Sequence, residues 1–330
     1  MEKPVFPYSE RLNSIDLAKT FAVLLMIFGH TISEFTISSD SFFNSKIGTF
    51  WYFFRGITAP LFLLSSGILY SYNYHKTTLF IKLKKVILIT ILAFAMHVPI
   101  FNGSWEEFYR IDILHLFALL FLLSSFILKP LQSNNYTYIK REAIKVILLV
   151  LIIAIGIGEQ SFFNYHPETI HPLIINFINP NENSLFPIFP FAIYFLTGLI
   201  GGILIRQKND GFKNIVASFI FLVIGINYFD ETPPYIFILT VIIAIVLLLS
   251  GFTRLVKKSK RYIKFISNNS LWFYISHLLL IYGHNSLIGV GSFISSKSLS
   301  IYESLVLSSF IIITCYFIIM KITRLISKRS

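Results

Sequence analysis

Cysteine is all but missing: Cys315 stands alone in 330 residues. A lone thiol excludes an internal disulfide framework and any Cys-based metal site. Charge is scarce as well. Asp, Glu, Lys and Arg make up 13% of the chain, about half of what a water-facing domain carries. That excludes an ordinary soluble enzyme and a disordered chain. No period of 20–50 residues marks a repeat array, and HExxH, P-loop and serine-nucleophile motifs are all lacking. What fills the chain is apolar: 55% is hydrophobic and 17% aromatic. This is the composition of a polytopic, all-α membrane protein.

A bilayer's hydrocarbon is ~30 Å thick and a helix rises 1.5 Å per residue, so a span needs about 20 mostly apolar residues. Such stretches are predicted at 15–34, 50–72, 83–101, 111–131, 143–158, 187–205, 212–229, 234–251, 266–283 and 302–322. They make about ten transmembrane helices in one domain, 1–330. The net charge of +12 fits a nucleic-acid binder until the basic residues are placed. Cytoplasmic loops collect Lys and Arg. With the N-terminus inside, every basic residue falls on an interior segment except Lys46, Arg110 and Lys297 outside and Lys19 and Arg55 within spans. Both termini are therefore expected in the cytoplasm. The excess is a topology signal with some attraction for anionic lipid, and no nucleic-acid partner is expected. The first span holds Asp16 and Lys19 and lacks an A-x-A-like site, so it reads as a span and not as a removed signal peptide.

Ionisable groups within a bilayer are costly and mark function by default. Those predicted to lie there are Asp16, Lys19, His30, Glu34, Arg55, Asp112, His115, His277 and His284, with His97 near a span end. Lys19 and His30 are eleven residues apart, within roughly 20° of one helix face and ~16 Å along the axis. Asp16 and Glu34 extend that stripe by i,i+3 and i,i+4 steps. Such a helix must line a polar interior. By depth, His30, Glu34, Arg55, Asp112 and His115 reach one level near the outer surface, where they would converge in a cavity. Residues 159–186, long and proline-punctuated, are expected to form an irregular cap over it. Gly198 and Gly202 have the spacing of a close helix contact. His166 and His171, five apart in a Pro-rich loop, make a poor metal pair, and no metal is expected.

The order Arg11–Asp16–Lys19, ten residues, then His30 resembles the opening helix of the transmembrane acyltransferase superfamily. That group includes acyltransferase-3 proteins and relatives of heparan-alpha-glucosaminide N-acetyltransferase, the branch this chain resembles more. Lys19 stands where Arg is commoner. Phe54-Arg55-Gly56 through Ala59-Pro60 to Gly67, Ile111-Asp112-Ile-Leu-His115, Phe186-Pro187-Ile-Phe-Pro190 through Gly198, and Ser270-Leu-Trp-Phe-Tyr274-Ile-Ser-His277 are similar to later segments of the family. Gln is usual at the position of His115 and Trp at that of Phe191.

The resemblance implies transfer of an acyl group, acetyl in the first instance, from acyl-CoA to a hydroxyl or amine of an extracytoplasmic sugar or glycan. The setting would be a multi-pass protein of a cell membrane, a bacterial inner membrane being the expected one. Acetyl-CoA would be the donor substrate. Catalytic roles fall to His30, as base, and to Asp112, His115 and Glu34; Lys19, Arg55 and His277 are expected to hold the donor. An imidazole titrates near working pH and suits general-base work, while an acyl-histidine intermediate is the covalent alternative. Arg55, Asn269 or Ser270 would serve as oxyanion donors. A proton-coupled secondary transporter using the same intramembrane groups is the rival reading, although two matching halves with broken spans are not evident. Membrane lipids are expected partners; homo-oligomerisation is left open.

Overall fold

The computed structural model describes residues 13–98, 108–132, 138–162, 171–178, 184–204, 238–239, 241–243, 245–246, 260–284 and 288–327. Among these the chain is helical and forms no strand. The elements are α1 (Asn13–Phe35), α2 (Lys46–Tyr72), α3 (Leu79–Ala95), α4 (Ile113–Ile127), α5 (Tyr138–Phe162), α6 (Pro172–Ile178), α7 (Ile188–Leu204), α8 (Lys260–Asn268), α9 (Ser270–Tyr282) and α10 (Ile301–Ser327). Their starts are chemically marked. Ser45 accepts from the Gly48 amide at 3.0 Å to open α2. Asp112 opens α4 in a capping box with His115, which satisfies amides that no helical turn can reach.

Among the described residues three helices are long and apolar enough to cross a membrane: α1, α2 and Ile301–Leu325 of α10. Helices α4, α7 and α9 are as apolar but shorter. Packing sorts the three. The apolar windows of α1 and α2 are 56% and 61% buried, against 22% for α10, so α10 lies at the periphery and α1 inside. Helix α1 touches α2, α8, α9 and α10. The exposed faces carry Phe80, Ile87 and Ile91 on α3, Val146 and Val150 on α5, and Val306, Phe310 and Phe317 on α10. Apolar faces on that scale suit hydrocarbon and no aqueous surface.

Helix α2 packs most extensively on α7, and glycine explains how. A Cβ at Gly67 would run into the Phe195 carbonyl, one at Gly198 into the Leu64 carbonyl, and one at Gly202 into Ser71 Oγ. The expected Gly198/Gly202 contact is therefore present, with Gly67 as its counterpart. Small residues here let two backbones meet.

The expected spans need four corrections. Helix α3 ends at Ala95, so His97 lies in the turn beyond it and not inside a span reaching residue 101; residues 99–107 fall outside the described part. The ninth span is two helices, α8 and α9, broken at Asn269. Stretch 159–186 is less irregular than expected, since α5 runs to Phe162 and α6 occupies part of the rest. The fifth span, 143–158, lies within a longer helix, α5. The span at 212–229 lies outside the described residues, as does most of 234–251.

Candidate active site

Contacts at both ends set α9 beside α1 in the same direction, while α8 meets the Asp16 end of α1 running the opposite way. At one end Ser267 Oγ donates to Asp16 Oδ1 at 2.6 Å and Thr20 Oγ1 to the Ile263 carbonyl at 3.1 Å. At the other, half-buried His30 meets His277 and Tyr282. Its Nδ1 is 3.2 Å from Tyr282 Oη, and the His30 and His277 rings stand 5.2 Å apart between centroids. His277 is fully buried. Its Nδ1–H donates to the Phe273 carbonyl at 2.9 Å. A carbonyl accepts only, so this bond fixes the tautomer and leaves the neutral ring's lone pair on Nε2. That atom is buried and has no hydrogen-bond partner among the described residues.

Two guanidinium groups and a carboxylate border this pair. The Arg55 stem rests against α1, where a Cβ on Gly29 would lie 3.7 Å from Arg55 Cγ, and its charge acts on both His30 and Tyr282. Glu34 and Arg110 also act on Tyr282. Glu34 closes α1. Its carbonyl accepts from the Lys297 amide and from Ser296 Oγ, each at 3.0 Å, which satisfies an end-of-helix carbonyl. Beside it Arg55 and Lys297 share a cavity of about 100 Å³ with Ser33, Ser38, Trp51 and Tyr52.

A second cluster starts from the cap of α4. Asp112 is buried; its Oδ1 accepts from the Leu114 amide at 2.8 Å and faces His115 Nδ1 at 3.0 Å. Its Oδ2 accepts from Tyr274 Oη at 3.1 Å and lies 3.5 Å from His97 Nε2. Tyr274 joins the clusters, because its ring is 5.6 Å from that of His277. A file of polar rings therefore runs from His97 and His115 through Asp112, Tyr274 and His277 to His30 and Tyr282.

Of the residues the sequence singled out, His30, Glu34, Arg55 and His277 gather at one end of α1, and Asp112 with His115 joins them through Tyr274. They form two linked groups and not one cavity. Lys19 stays apart, over the Phe62 ring at 5.3 Å. The Asn269 amide donates to the Phe265 carbonyl at 2.8 Å, next to the Asp16 end of α1 and away from His30. Ser270 is buried at the start of α9, also remote from His30. His171 lies edge-on to Tyr109, and His166 is outside the described residues. Tyr274, Tyr282 and Arg110 are given no role by the sequence, and His97 stands there only as an ionisable group near a span end. For Tyr274 a signal existed: it precedes His277 by three residues and so shares its helix face. By sequence Arg110 is an exterior loop charge, and Tyr282 carries no mark, since a tyrosine in an aromatic-rich span is ordinary.

The helices and the buried polar file define a membrane protein with an ionisable interior. Residues 11–226 match the family described as heparan-alpha-glucosaminide N-acetyltransferase, catalytic, and the chain belongs to it. It is a membrane domain of acetyltransferase type. No curated protein matches the chain.

Proposed function

We propose that the protein moves an acyl group, acetyl in the simplest case, from acyl-CoA on the cytoplasmic side to a hydroxyl or amine of a sugar or glycan on the other, with His30 as general base. The observation that carries this reading is the His30–Tyr282–His277 contact between two helices that run in the same direction. In the tautomer we assign, Nδ1–H donates to Tyr282 Oη, 3.2 Å away, and Nε2 of His30 carries the lone pair that a base needs. The acceptor's O–H or N–H gives its proton to Nε2 as its oxygen or nitrogen attacks the thioester carbon. The carbonyl π electrons move to oxygen, where Arg55 or Arg110 stabilises the charge. Collapse expels CoA thiolate, and the proton on His30 leaves with it or passes to water.

Lys19, about 16 Å along α1 from His30 by rise per residue, suits a CoA phosphate, since an ammonium group pairs with phosphate by charge and hydrogen bonding. The family match, which covers α1 to α7, supports acyl transfer over solute transport. The membrane topology with both termini cytoplasmic, about ten spans and a bacterial inner membrane as the setting is part of the same proposal. Purified protein given radiolabelled acetyl-CoA and a panel of amino sugars is expected to label an acceptor or itself. His30→Ala should abolish that labelling while the helical circular dichroism is kept. Label transfer at the wild-type rate in the variant removes His30 from the mechanism.

A further inference from the structure

His97, Asp112 and His115 each bring one ligand atom to within 4.8 Å of the others. The geometry points to a divalent transition-metal site at this point, held by two imidazoles and one carboxylate. The separations fit. Zn–N and Zn–O bonds of about 2.0–2.2 Å put tetrahedral ligand atoms about 3.4 Å apart; His115 Nδ1 to Asp112 Oδ1 is 3.0 Å and His97 Nε2 to Asp112 Oδ2 is 3.5 Å.

Hydrogen-bond bookkeeping favours an ion over direct pairing. His115 Nδ1 stands 3.0 Å from Asp112 Oδ1, an acceptor, and 3.3 Å from the Asp112 amide, a donor. One ring nitrogen cannot serve both. If it carries hydrogen it pairs with the carboxylate directly, but Nε2 of His97 is still buried with no hydrogen-bond partner among the described residues. If it carries a lone pair, that pair faces a carboxylate oxygen with nothing between. A cation gives His97 Nε2 the partner it lacks, separates the His115 Nδ1 lone pair from the carboxylate oxygen it faces, and balances a buried charge that has no Lys or Arg ion pair among the described residues.

The surroundings have the character of a metal's outer shell. Tyr274 Oη donates to Asp112 Oδ2 and aims the carboxylate, while Phe94 lies 4.7 Å from the His115 ring between centroids and shields one side. Oriented carboxylates and a dry wall are usual around bound metals. Two nitrogen ligands with one oxygen select zinc, cobalt, nickel or iron over magnesium and calcium. The site would tie the end of α3 to the start of α4, and Leu185 N–H donates to the Ile111 carbonyl at 3.0 Å just beside it. This proposal stands whether or not the protein transfers acyl groups.

The test uses the full chain in detergent, stripped with chelator, then titrated with Co²⁺ while its ligand-field absorption is read, with Zn²⁺ content measured by elemental mass spectrometry after desalting. About one equivalent of either metal is expected. His97→Ala and Asp112→Asn should each lower affinity at least tenfold, and Tyr274→Phe about tenfold, the usual effect of removing an outer-shell partner. His75→Ala, in an exposed turn, should change nothing. Asparagine keeps the helix-capping oxygen, so Asp112→Asn can be read on a folded chain even if His97→Ala fails to fold. Wild type that shows no ligand-field band, or uptake equal in wild type and Asp112→Asn, overturns the site.

Discussion

Tyr282 contributes one hydroxyl to His30, and in the proposed mechanism that hydroxyl accepts from Nδ1–H and leaves Nε2 as the base. Tyr282→Phe keeps the ring packing and removes the anchor. The rate of acyl transfer is expected to fall about tenfold, the worth of one hydrogen bond, with the donor KM unchanged. A fall in donor affinity at constant kcat would show Tyr282 to be a binding group. Lys19 is the opposite case. Lys19→Ala should raise the donor KM and leave the acceptor KM alone, which steady-state kinetics with each substrate varied will separate; an acceptor effect alone would overturn its role. The position of His30 on a polar stripe of α1 was legible from its spacing to Lys19. Tyr282 was not, because sequence gives depth along a helix but not the lateral neighbour. His97 was legible only as a residue near a span end. Its approach to Asp112 depends on where α3 stops, at Ala95; Pro99 shortly beyond marks that stop, and a span drawn on apolar content to residue 101 runs past it.

Helices α2 and α7 meet through Gly67, Gly198 and Gly202, and this contact holds Arg55 on α2 in place beside α1. Gly198→Leu is expected to cost about 1–3 kcal/mol by overpacking and to lower the melting temperature in detergent. Gly56→Ala on α2 meets nothing within 4 Å and should hold or raise that temperature, since alanine favours a helix by about 1 kcal/mol over glycine. Equal melting of the two variants would mean that the close approach is not tight. The spacing of Gly198 and Gly202 announced this contact, because small residues one turn apart have few other uses in a span. The break at Asn269 went unread. An apolar average over about 20 residues smooths across a single capped turn, and the mean hides that α8 is basic where α9 is apolar.

Taken whole, the molecule is a bundle with α1 at its interior, an apolar exterior and a file of titratable rings crossing its core. Composition alone made it a membrane protein, since too few charges exist to coat a water-facing surface. The family, matched over residues 11–226, was legible through several short motifs in fixed order, each weak alone. The file of rings was not legible, because it joins residues up to about 250 positions apart. The central claim is that His30 takes a proton while an acyl group crosses from one side to the other. Proteoliposomes enclosing radiolabelled acetyl-CoA, with amino sugars outside, measure it most directly. We expect label on the external sugar, reduced at least a hundredfold in His30→Ala, the lower end of what a general base supplies. Unchanged labelling in that variant, or proton-driven uptake of a solute with no acyl donor present, would contradict the account.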